Sequence, residues 1–394
     1  MTRHFLGLHA ARCGWVPPWA GCGEPLLSAA GWSEDDGAEV LSLLTVPQAG
    51  GVTHVGRWRV DAQPTDVVSA SFPGAGGCSL LLVATQAGGV ARLRLGSGNE
   101  WLEEARGAEL EPLCAPLFAL HAPATCLSFA PATSQLLVGG GDGGVALVAL
   151  GREGGGTSQL LCPPPSFLPS DHAGGWVGSV AWAARATCVA TGAAPGVALL
   201  DVRQQPPRAD TNPSSLVGGT DGTPLRFARF GPVASSPVAP HFVAAGCPLS
   251  SVSCLWDLRK GCGATAPPVA VWDCSPEGVG QNEGRAGGIV GITFDKASAF
   301  GASSRGGHSP TPPLLALTSW GESLVLESFG GGGFGGELRA NKCAARRLGL
   351  REPSGGVCLA LEQSCGLRAA ATTRAEGLLV LEPGAGSDAG MMQA

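Results

Sequence analysis

The chain has 394 residues, of which 44% are hydrophobic and 14% are charged, and its formal net charge is -6. This balance is typical of a folded chain, because disordered chains combine few apolar residues with a high net charge. A weakly charged acidic chain lacks the stripe of lysine and arginine that neutralises phosphates, so we expect no direct binding of nucleic acid or of an anionic membrane surface. The 62 glycines and 31 prolines separate short apolar runs, which indicates many strands joined by tight turns.

One unit recurs along the chain. It consists of an apolar strand, a loop, a second strand that ends in small residues, a tight turn, and a third strand with alternating side chains. The first three copies are predicted at residues 25–30 and 40–46 around the turn 31–37, at residues 66–72, 79–85 and 90–95, and at residues 124–129, 135–140 and 145–150. The third copy is the clearest of these, because its second and third strands flank a Gly-Asp-Gly-Gly turn at 141–144.

Four further copies follow in the second half of the chain. They are predicted at residues 177–182, 186–191 and 196–203, at 225–230, 241–245 and 252–260, at 288–294, 313–319 and 323–329, and at 357–362, 367–372 and 378–382. The stretch 252–260 alternates its side chains and contains the pair Trp256-Asp257, as the third strand of a WD-repeat blade does. Successive turns are roughly 52 to 56 residues apart, slightly more than the ~40 to 45 of compact WD repeats, and only the step across the sixth copy is clearly longer.

Seven copies predict an all-β fold, a seven-bladed WD-repeat β-propeller that occupies residues 1–394 as one domain. The joins at 96–111, 151–175, 204–223, 261–285 and 330–353 are expected to supply outer strands and surface loops. Residues 5–8 are expected to add the outer strand of the last blade and so close the ring, because closure removes exposed strand edges. Truncation of the first ten residues is therefore expected to destabilise the whole domain.

Two segments are predicted to lie outside the regular structure. The insert 299–312 contains Ser-Pro and Thr-Pro pairs and is expected to be a disordered loop, either tolerated without a role or a site of phosphorylation. Residues 383–394 are expected to form a flexible tail. No run of ~20 apolar residues is free of Gly, Pro or charge, so no membrane span is expected.

The polar residues of the repeats are interpreted as structural. In a propeller blade, Trp packs between sheets and Asp accepts hydrogen bonds that hold a turn. The residues assigned to such blade motifs are Trp32, Asp142, Asp201, Arg203, Trp256, Asp257 and Arg259. The glycine run 139–144 joins strand to strand, whereas a phosphate cradle needs a helix after it. His121 and His172 precede the third and fourth copies without a Ser and an Asp that would complete a nucleophilic triad, so we expect no catalysis and no cofactor.

The 14 cysteines show no pair at the two-residue spacing of a zinc site, and several lie inside strand-like runs. We therefore expect buried, reduced thiols in a reducing compartment and no metal. The first eleven residues are too weakly apolar for a secretory signal, although the absence of acids before Glu24 leaves a transit peptide as an alternative.

Two features leave a role in partner binding open. Basic residues follow the glycine-rich run 330–336 and form either a partner contact or a solvated linker. Five tryptophans lie in the first quarter of the chain, most of them expected in the core and one or two as anchors of a protein interface: Trp15, Trp19, Trp32, Trp58 and Trp101.

Several stretches together resemble one family, that of the forty-three-kilodalton nucleoporin, a small WD-repeat protein of the Y-shaped outer-ring complex of the nuclear pore. The stretches are Trp15-Val16-Pro17-Pro18, Ala30-Gly31-Trp32-Ser33-Glu34-Asp35-Asp36, Asp201-Val202-Arg203-Gln204-Gln205 and Leu255-Trp256-Asp257-Leu258-Arg259-Lys260-Gly261. The chain departs from the family where Leu200 replaces a Trp and where the sixth copy carries an extra loop.

The resemblance implies a structural scaffold subunit without catalytic activity, located in the nucleus at the pores of the nuclear envelope. Its implied partners are other nucleoporins of the Y-complex, in particular a helical scaffold nucleoporin of the short arm, and its implied role is to support nucleocytoplasmic transport of mRNA and protein. No small-molecule substrate is implied.

A second hypothesis belongs to another class of protein. The sequence Trp256-Asp257-Leu258-Arg259 also suits the box by which substrate receptors of cullin ubiquitin ligases dock on their propeller adaptor. That hypothesis requires a solvent-exposed box and an Arg259 that is needed for adaptor binding. An enzyme is the weakest of the three hypotheses, because no converging set of polar groups is found in the sequence.

Overall fold

The computed structural model describes residues 2–16, 25–47, 51–72, 79–95, 108–114, 116–118, 122–151, 156–162, 176–184, 186–192, 197–203, 214–216, 231–236, 239–248, 252–260, 268–273, 288–294, 314–320, 323–331, 340–349, 359–362, 368–372 and 377–381. Within these residues the chain is all-β and contains no α-helix. The described strands form seven four-stranded antiparallel sheets, each built from strands that follow one another in the sequence, except that the seventh also takes in the first strand of the chain.

The first three sheets use the N-terminal part of the chain. Sheet one contains β2 (His9–Val16), β3 (Leu26–Ser33), β4 (Ala38–Thr45) and β5 (Thr53–Arg59); sheet two contains β6 (Pro64–Ser71), β7 (Ser79–Thr85), β8 (Val90–Leu95) and β9 (Glu111–Cys114); sheet three contains β10 (Ala124–Ala130), β11 (Gln135–Gly140), β12 (Val145–Leu150) and β13 (Gly156–Cys162).

The remaining sheets follow in the same order. Sheet four contains β14 (Val177–Ala184), β15 (Thr187–Gly192), β16 (Val197–Asp201) and β17 (Ser214–Leu216); sheet five contains β18 (Val233–Ser235), β19 (Phe242–Gly246), β20 (Val252–Asp257) and β21 (Ala270–Asp273); sheet six contains β22 (Gly288–Phe294), β23 (Leu314–Trp320), β24 (Ser323–Gly331) and β25 (Ala340–Gly349); sheet seven contains β26 (Leu359–Glu362), β27 (Arg368–Thr372), β28 (Gly377–Leu381) and β1 (Thr2–Phe5).

The second strands of sheets two, three and five are buried on both faces. Every residue of β7 and of β19 is buried, and in β11 only the first residue is not. A strand of this kind lies in the middle of a sheet that has another sheet on each side, and its sequence is therefore a continuous apolar run and not an alternating one. This explains why these runs could be recognised in the sequence.

Consecutive sheets pack face to face through shared apolar clusters. One cluster joins sheets one and two around Leu41 and Leu81, a second joins sheets two and three around Leu82 and Val138, and three more continue the series to sheet six. The first strands of neighbouring sheets are also in contact, and β26 contacts both β22 and β2. The first strand of sheet seven thus contacts the first strands of sheets six and one.

The all-β prediction is confirmed, and several strand bounds match the predicted runs: β7, β8, β11, β12 and β22. The joins supply the fourth strands of sheets three to six, as expected, whereas the fourth strand of sheet two, β9, begins only at the last residue of the join 96–111. The predicted strand 225–230 lies outside the described residues, and the first strand of sheet five is β18. The insert 299–312 and the tail 383–394 also lie outside them.

Two predictions at the N-terminus were wrong. The strand that pairs with β28 is Thr2–Phe5 and not residues 5–8, because Leu6 and Leu8 are buried in a cluster with sheet one. Sheet one also begins earlier than predicted, with β2, so that the run at 25–30 belongs to its second strand. Among the described residues, no helix has the length and apolarity that crossing a membrane would need.

Candidate interaction surfaces

The Trp-Asp motif of sheet five ends in a bidentate ion pair between Asp257 and Arg259. We call this Asp-x-Arg arrangement a fork. At the end of β20, Trp256 is buried, and the chain reverses through a 3-10 turn at Leu258–Lys260. Asp257 accepts hydrogen bonds from the backbone N–H of Arg259 at 3.1 Å and from the Arg259 guanidinium, Nε to Oδ1 at 3.0 Å and Nη2 to Oδ2 at 2.8 Å. The guanidinium hydrogen bonds are the main reason why the pKa of Asp257 lies below its usual value.

Sheet four carries the same fork at the end of β16. Asp201 accepts from the backbone N–H of Arg203 at 3.0 Å and from its guanidinium at 3.0 and 2.6 Å, and the pKa of Asp201 is lowered for the same reason. The two forks differ in burial, since the Asp201 side chain is 24% exposed and that of Asp257 only 5%. Arg259 also lies over the ring of Phe242, 5.7 Å from its centroid, and its side chain remains 59% exposed.

Asp142 and Trp32 lie at the opposite end of their sheets. Asp142 accepts from the backbone N–H of Gly144 at 2.9 Å, which closes the turn between β11 and β12, and Gly143 has a φ of 86° in that turn. Trp32 lies near the end of β3, beside a turn in which Asp36 accepts from Ser33 at 2.8 Å and from Arg57 at 2.9 Å. The Trp32 side chain is 39% exposed.

The predicted motif residues therefore do not form one site. We use the term turn face for the end of the sheets that carries the second-to-third strand turns, marked by Trp32 and Asp142, and fork face for the end that carries the two Asp-x-Arg forks. Because the strands are antiparallel, each first strand begins at the turn face. The seven motif residues are divided between the two faces and belong to four sheets.

The first strands are joined near the turn face by side-chain hydrogen bonds to the backbone. The carboxylate of Asp66 in β6 accepts from Leu127 N at 2.7 Å, the hydroxyl of Thr125 in β10 donates to Val177 O at 2.5 Å, and the hydroxyl of Ser179 in β14 accepts from Val233 N at 3.3 Å. These bonds link sheets two, three, four and five in sequence.

A pocket of about 460 Å³ lies where these first strands converge, and six sheets contribute to it. Its polar side contains Arg12, whose Nε donates to Thr65 O, and Asp66. Burial raises the pKa of Asp66 to about 6, although the charge of Arg12 and the backbone hydrogen bonds oppose this shift. Its apolar side includes Trp176, Pro248 and Ile292. The volume and the lining are those of a pocket that binds small ligands or side chains.

The cysteines whose burial the structure describes are buried or, at Cys114, partly buried, and two of them are poor nucleophiles. Burial raises the pKa of Cys126 and of Cys254 to about 12, so both remain thiols at neutral pH. In the described ranges, no group of three or more His, Cys, Asp or Glu is placed to hold a metal ion.

Sequence reasoning missed the residues of the pocket. Arg12, Asp66, Thr125 and Trp176 belong to four different first strands or their approaches, and no spacing in the chain signals that they meet. Only the repeat itself carried such a signal, because equivalent positions of neighbouring copies lie side by side in a propeller. Of the five early tryptophans, Trp58 is buried, Trp15 is partly buried and Trp32 is exposed. The other two, together with His121 and His172, lie outside the described residues.

No protein-family model matches the chain, and no curated protein matches it. Solved structures are similar in fold. Raptor of Chaetomium thermophilum aligns over 96% of this chain and 28% of its own, at 12% identity and a TM-score of 0.59. Chains of two COPII structures, the outer coat vertex on membranes and the coat assembled on membranes, each align over 95% of this chain at 15% identity and a TM-score of 0.62, covering 84% and 46% of their own lengths.

The chain thus spans little more than a quarter of the Raptor chain that it matches. Raptor and the COPII coat proteins contain β-propellers, so the likeness shows a fold of the WD-propeller type. At these identities it shows the fold alone.

Proposed function

We propose that the chain is a closed seven-bladed β-propeller that acts as a non-catalytic scaffold subunit of the nuclear pore, in the Y-shaped outer-ring complex at the nuclear envelope. In this role the propeller docks on helical nucleoporins of the short arm and supports the transport of mRNA and protein. It acts by holding proteins in place and uses no cofactor.

The observation that carries the proposal is the cyclic order of the sheet contacts. Each sheet contacts the next through its first strand, β26 contacts β2, and β1 pairs with β28. Such a ring exposes few strand edges and offers two end faces and a rim for partners. The nuclear-pore part of the proposal has separate support in the motifs around Trp32, Asp201 and Asp257, which resemble those of the outer-ring nucleoporin.

The test is a pull-down of the tagged full-length chain after mild lysis, with the co-purifying proteins identified and quantified by mass spectrometry. We expect outer-ring nucleoporins in fixed proportion to the bait. A matched bait that carries Asp257→Ala reports whether the fork face takes part in docking. Recovery of no nucleoporin at either of two salt concentrations would refute the nuclear-pore assignment, while the proposal of a scaffold propeller would be judged by whichever stable partners are found.

The ligase hypothesis has one observation in its favour, the 59% exposure of the Arg259 side chain. The guanidinium is nevertheless engaged by Asp257, so an adaptor would have to bind the fork as a whole. If the pull-down recovers a cullin adaptor and Arg259→Ala abolishes that recovery while Arg203→Ala does not, the receptor function replaces the scaffold function.

A further inference from the structure

We propose that sheet one binds an arginine side chain of a partner protein at its turn-face end, with the guanidinium stacked on the Trp32 indole and paired with the Glu39 carboxylate. The site is built from cross-strand neighbours of one sheet, and neither residue lines the pocket where the first strands converge. This inference goes beyond the nuclear-pore assignment and does not depend on it.

Trp32 and Glu39 lie side by side on one face of sheet one. They are opposite each other in the register of β3 and β4, and side chains in such positions are close enough to bind one ligand group together. Ala30 and Leu41, two residues further along the same strands, belong to the apolar cluster between sheets one and two. Because side chains alternate along a strand, Trp32 and Glu39 point to the same side, between that cluster and the turn.

The Trp32 side chain supplies an aromatic surface on a fixed backbone. Its exposed fraction is 39%, and its backbone is held on both sides, by pairing with His9 in β2 and with Glu39 in β4. The face of an indole attracts a cation, and the planar guanidinium of arginine can also stack on it. Since the strand is already in place, little backbone freedom is lost when a ligand binds.

Glu39 supplies an anion that the described part of the chain leaves unpaired. Its side chain is partly buried, and burial raises the pKa of its carboxyl. No hydrogen bond or ion pair of this carboxylate is found among the described residues. A partly buried carboxylate without a partner is stabilised when a cation reaches it, and a guanidinium can donate two parallel hydrogen bonds to its two oxygens.

The charges around the site also favour a cation. Glu34, in the adjoining turn, is 70% exposed, and its Oε1 lies 3.7 Å from Nε2 of His9, the residue opposite Trp32. Asp36 is instead paired with Arg57 at 2.9 Å. The surface beside the exposed indole therefore carries the negative charges of Glu34 and Glu39, which are complementary to a basic side chain and repel an anion.

The test uses three peptides with blocked ends, Gly-Gly-Arg-Gly-Gly and the same peptide with lysine or with uncharged citrulline in the middle. Each is titrated into the isotope-labelled full-length chain at physiological ionic strength, at which diffuse attraction between exposed charges is screened. The readout is the indole N–H resonance of Trp32 in the NMR spectrum, identified by its absence from the spectrum of Trp32→Phe.

Two variants remove one negative charge each from sheet one. Glu39→Gln removes the proposed partner of the guanidinium. Asp35→Asn is the matched control, because the Asp35 carboxylate lies on the side of the N-terminal connection, 3.7 Å from a Cβ added at Gly7. The melting temperature of each variant is compared with that of the wild type, so that a loss of binding is not confused with unfolding.

We expect the arginine peptide to shift the Trp32 resonance saturably and to bind about fivefold more tightly than the citrulline peptide. Glu39→Gln should weaken its binding by about the same factor, and Asp35→Asn should leave it almost unchanged. The inference is overturned if the arginine peptide does not shift the resonance, or if the citrulline peptide binds as tightly.

Two further outcomes would also contradict the inference. If Asp35→Asn weakens binding as much as Glu39→Gln does, the attraction is a diffuse effect of negative charge and not a site. If the lysine peptide binds as tightly as the arginine peptide, the assignment of a guanidinium is wrong. Failure of the nuclear-pore pull-down would leave each of these readouts intact.

Discussion

At the scale of single residues, the same Asp-x-Arg fork occurs in two neighbouring sheets with different burial. The bonds are nearly identical in number and length, but water reaches Asp201 and hardly reaches Asp257. The hydrogen bonds to Asp257 compete less with water than those to Asp201, so they are expected to contribute more to stability. The two forks therefore allow the effect of aspartate burial on stability to be compared within one sequence motif.

We expect Asp257→Ala to lower the free energy of unfolding by about 2 kcal/mol, the typical value of hydrogen bonds to a charged group. Asp201→Ala should cost less than about 1 kcal/mol, as surface pairs do. The measurement is equilibrium unfolding in urea at neutral pH. Because the pKa of Asp257 is lowered in the folded chain, its contribution should also be lost as the pH falls below its usual value of 3.8. Equal costs at both sites would contradict the role assigned to burial.

Asp66 should give the opposite dependence on pH. Its pKa is raised from 3.8 to about 6 in the folded chain, so the folded state holds the proton more tightly than the unfolded state does. Its contribution to stability is therefore most favourable below pH 3.8, declines as the pH rises towards 6, and is constant above that. The full decline is at most about 3 kcal/mol, from the roughly 1.4 kcal/mol that one pKa unit represents.

The check is urea unfolding of the wild type and of Asp66→Asn at several pH values between 4 and 7. Asparagine keeps an oxygen that can accept from Leu127 N but does not titrate in this range. The difference in unfolding free energy, wild type minus variant, should decrease as the pH rises. A difference that is independent of pH would show that the Asp66 carboxyl is as acidic in the folded chain as in the unfolded one, and a difference that increases would show that it is more acidic; either result would contradict the raised pKa.

At the scale of elements, glycines allow the second strand of a sheet to end against the beginning of the first. An added Cβ would lie 2.1 Å from a carbonyl oxygen at Gly31 in sheet one and at Gly192 in sheet four, the oxygens being those of His9 and Trp176. Both contacts are with backbone, which cannot move aside as a flexible side chain can. The same close contact between a glycine of the second strand and a backbone carbonyl therefore occurs in sheet one and in sheet four.

We expect Gly192→Ala to destabilise the chain by about 1–3 kcal/mol, the usual range for overpacking. The added methyl group should also displace Trp176, because it clashes with the Trp176 carbonyl oxygen. This displacement should change the intrinsic tryptophan fluorescence. Gly51→Ala is the matched control, because nothing lies within 4 Å of its added Cβ. The comparison is made by thermal unfolding. A Gly192→Ala chain as stable as the Gly51→Ala chain would mean that the strand ends are farther apart than the structure has them.

Sequence patterns located strands well where burial makes the strand sequence recognisably apolar. The runs of β11 and β12 were predicted to the residue, because a strand covered on both faces is apolar throughout and a Gly-Asp-Gly-Gly turn separates the two. The first strand of sheet five was not located, since Val233–Ser235 has three residues and no apolar periodicity. The pocket was missed for a related reason: Arg12 and Asp66 meet through the packing of two sheets, which no local pattern records.

At the scale of the whole molecule, the first strand of the chain pairs with the last described strand. Thr2–Phe5 pairs with β28 in antiparallel register, from Thr2 opposite Val380 to Phe5 opposite Gly377. The chain then enters sheet one, where Leu6 and Leu8 are buried and Arg57 Nη2 donates to Leu6 O at 3.3 Å. Sequence reasoning placed a closing strand at residues 5–8, three residues later than the strand that pairs with β28, because the partner lies some 370 residues away and only that pairing sets the register.

Deletion of residues 2–5 should leave β28 with an unpaired edge while Leu6 and Leu8 stay in place. We expect a lower midpoint of urea unfolding and a tendency to associate through the exposed edge, measured by light scattering. Leu8→Ala tests the other half of the segment and should cost about 2–4 kcal/mol, as truncation of a fully buried leucine does, without promoting association.

The two changes separate edge pairing from core burial, and adding the missing strand back completes the test. A synthetic peptide of residues 1–5 added in excess should restore the midpoint of the deleted chain, since a ligand that binds only the folded state stabilises it by mass action. A peptide with the same residues in scrambled order is the control. If the deleted chain unfolds at the wild-type midpoint and stays monomeric, the pairing of β1 with β28 contributes nothing to stability, and the proposed closure of the ring would rest on the contacts of β26 with β2 and β22.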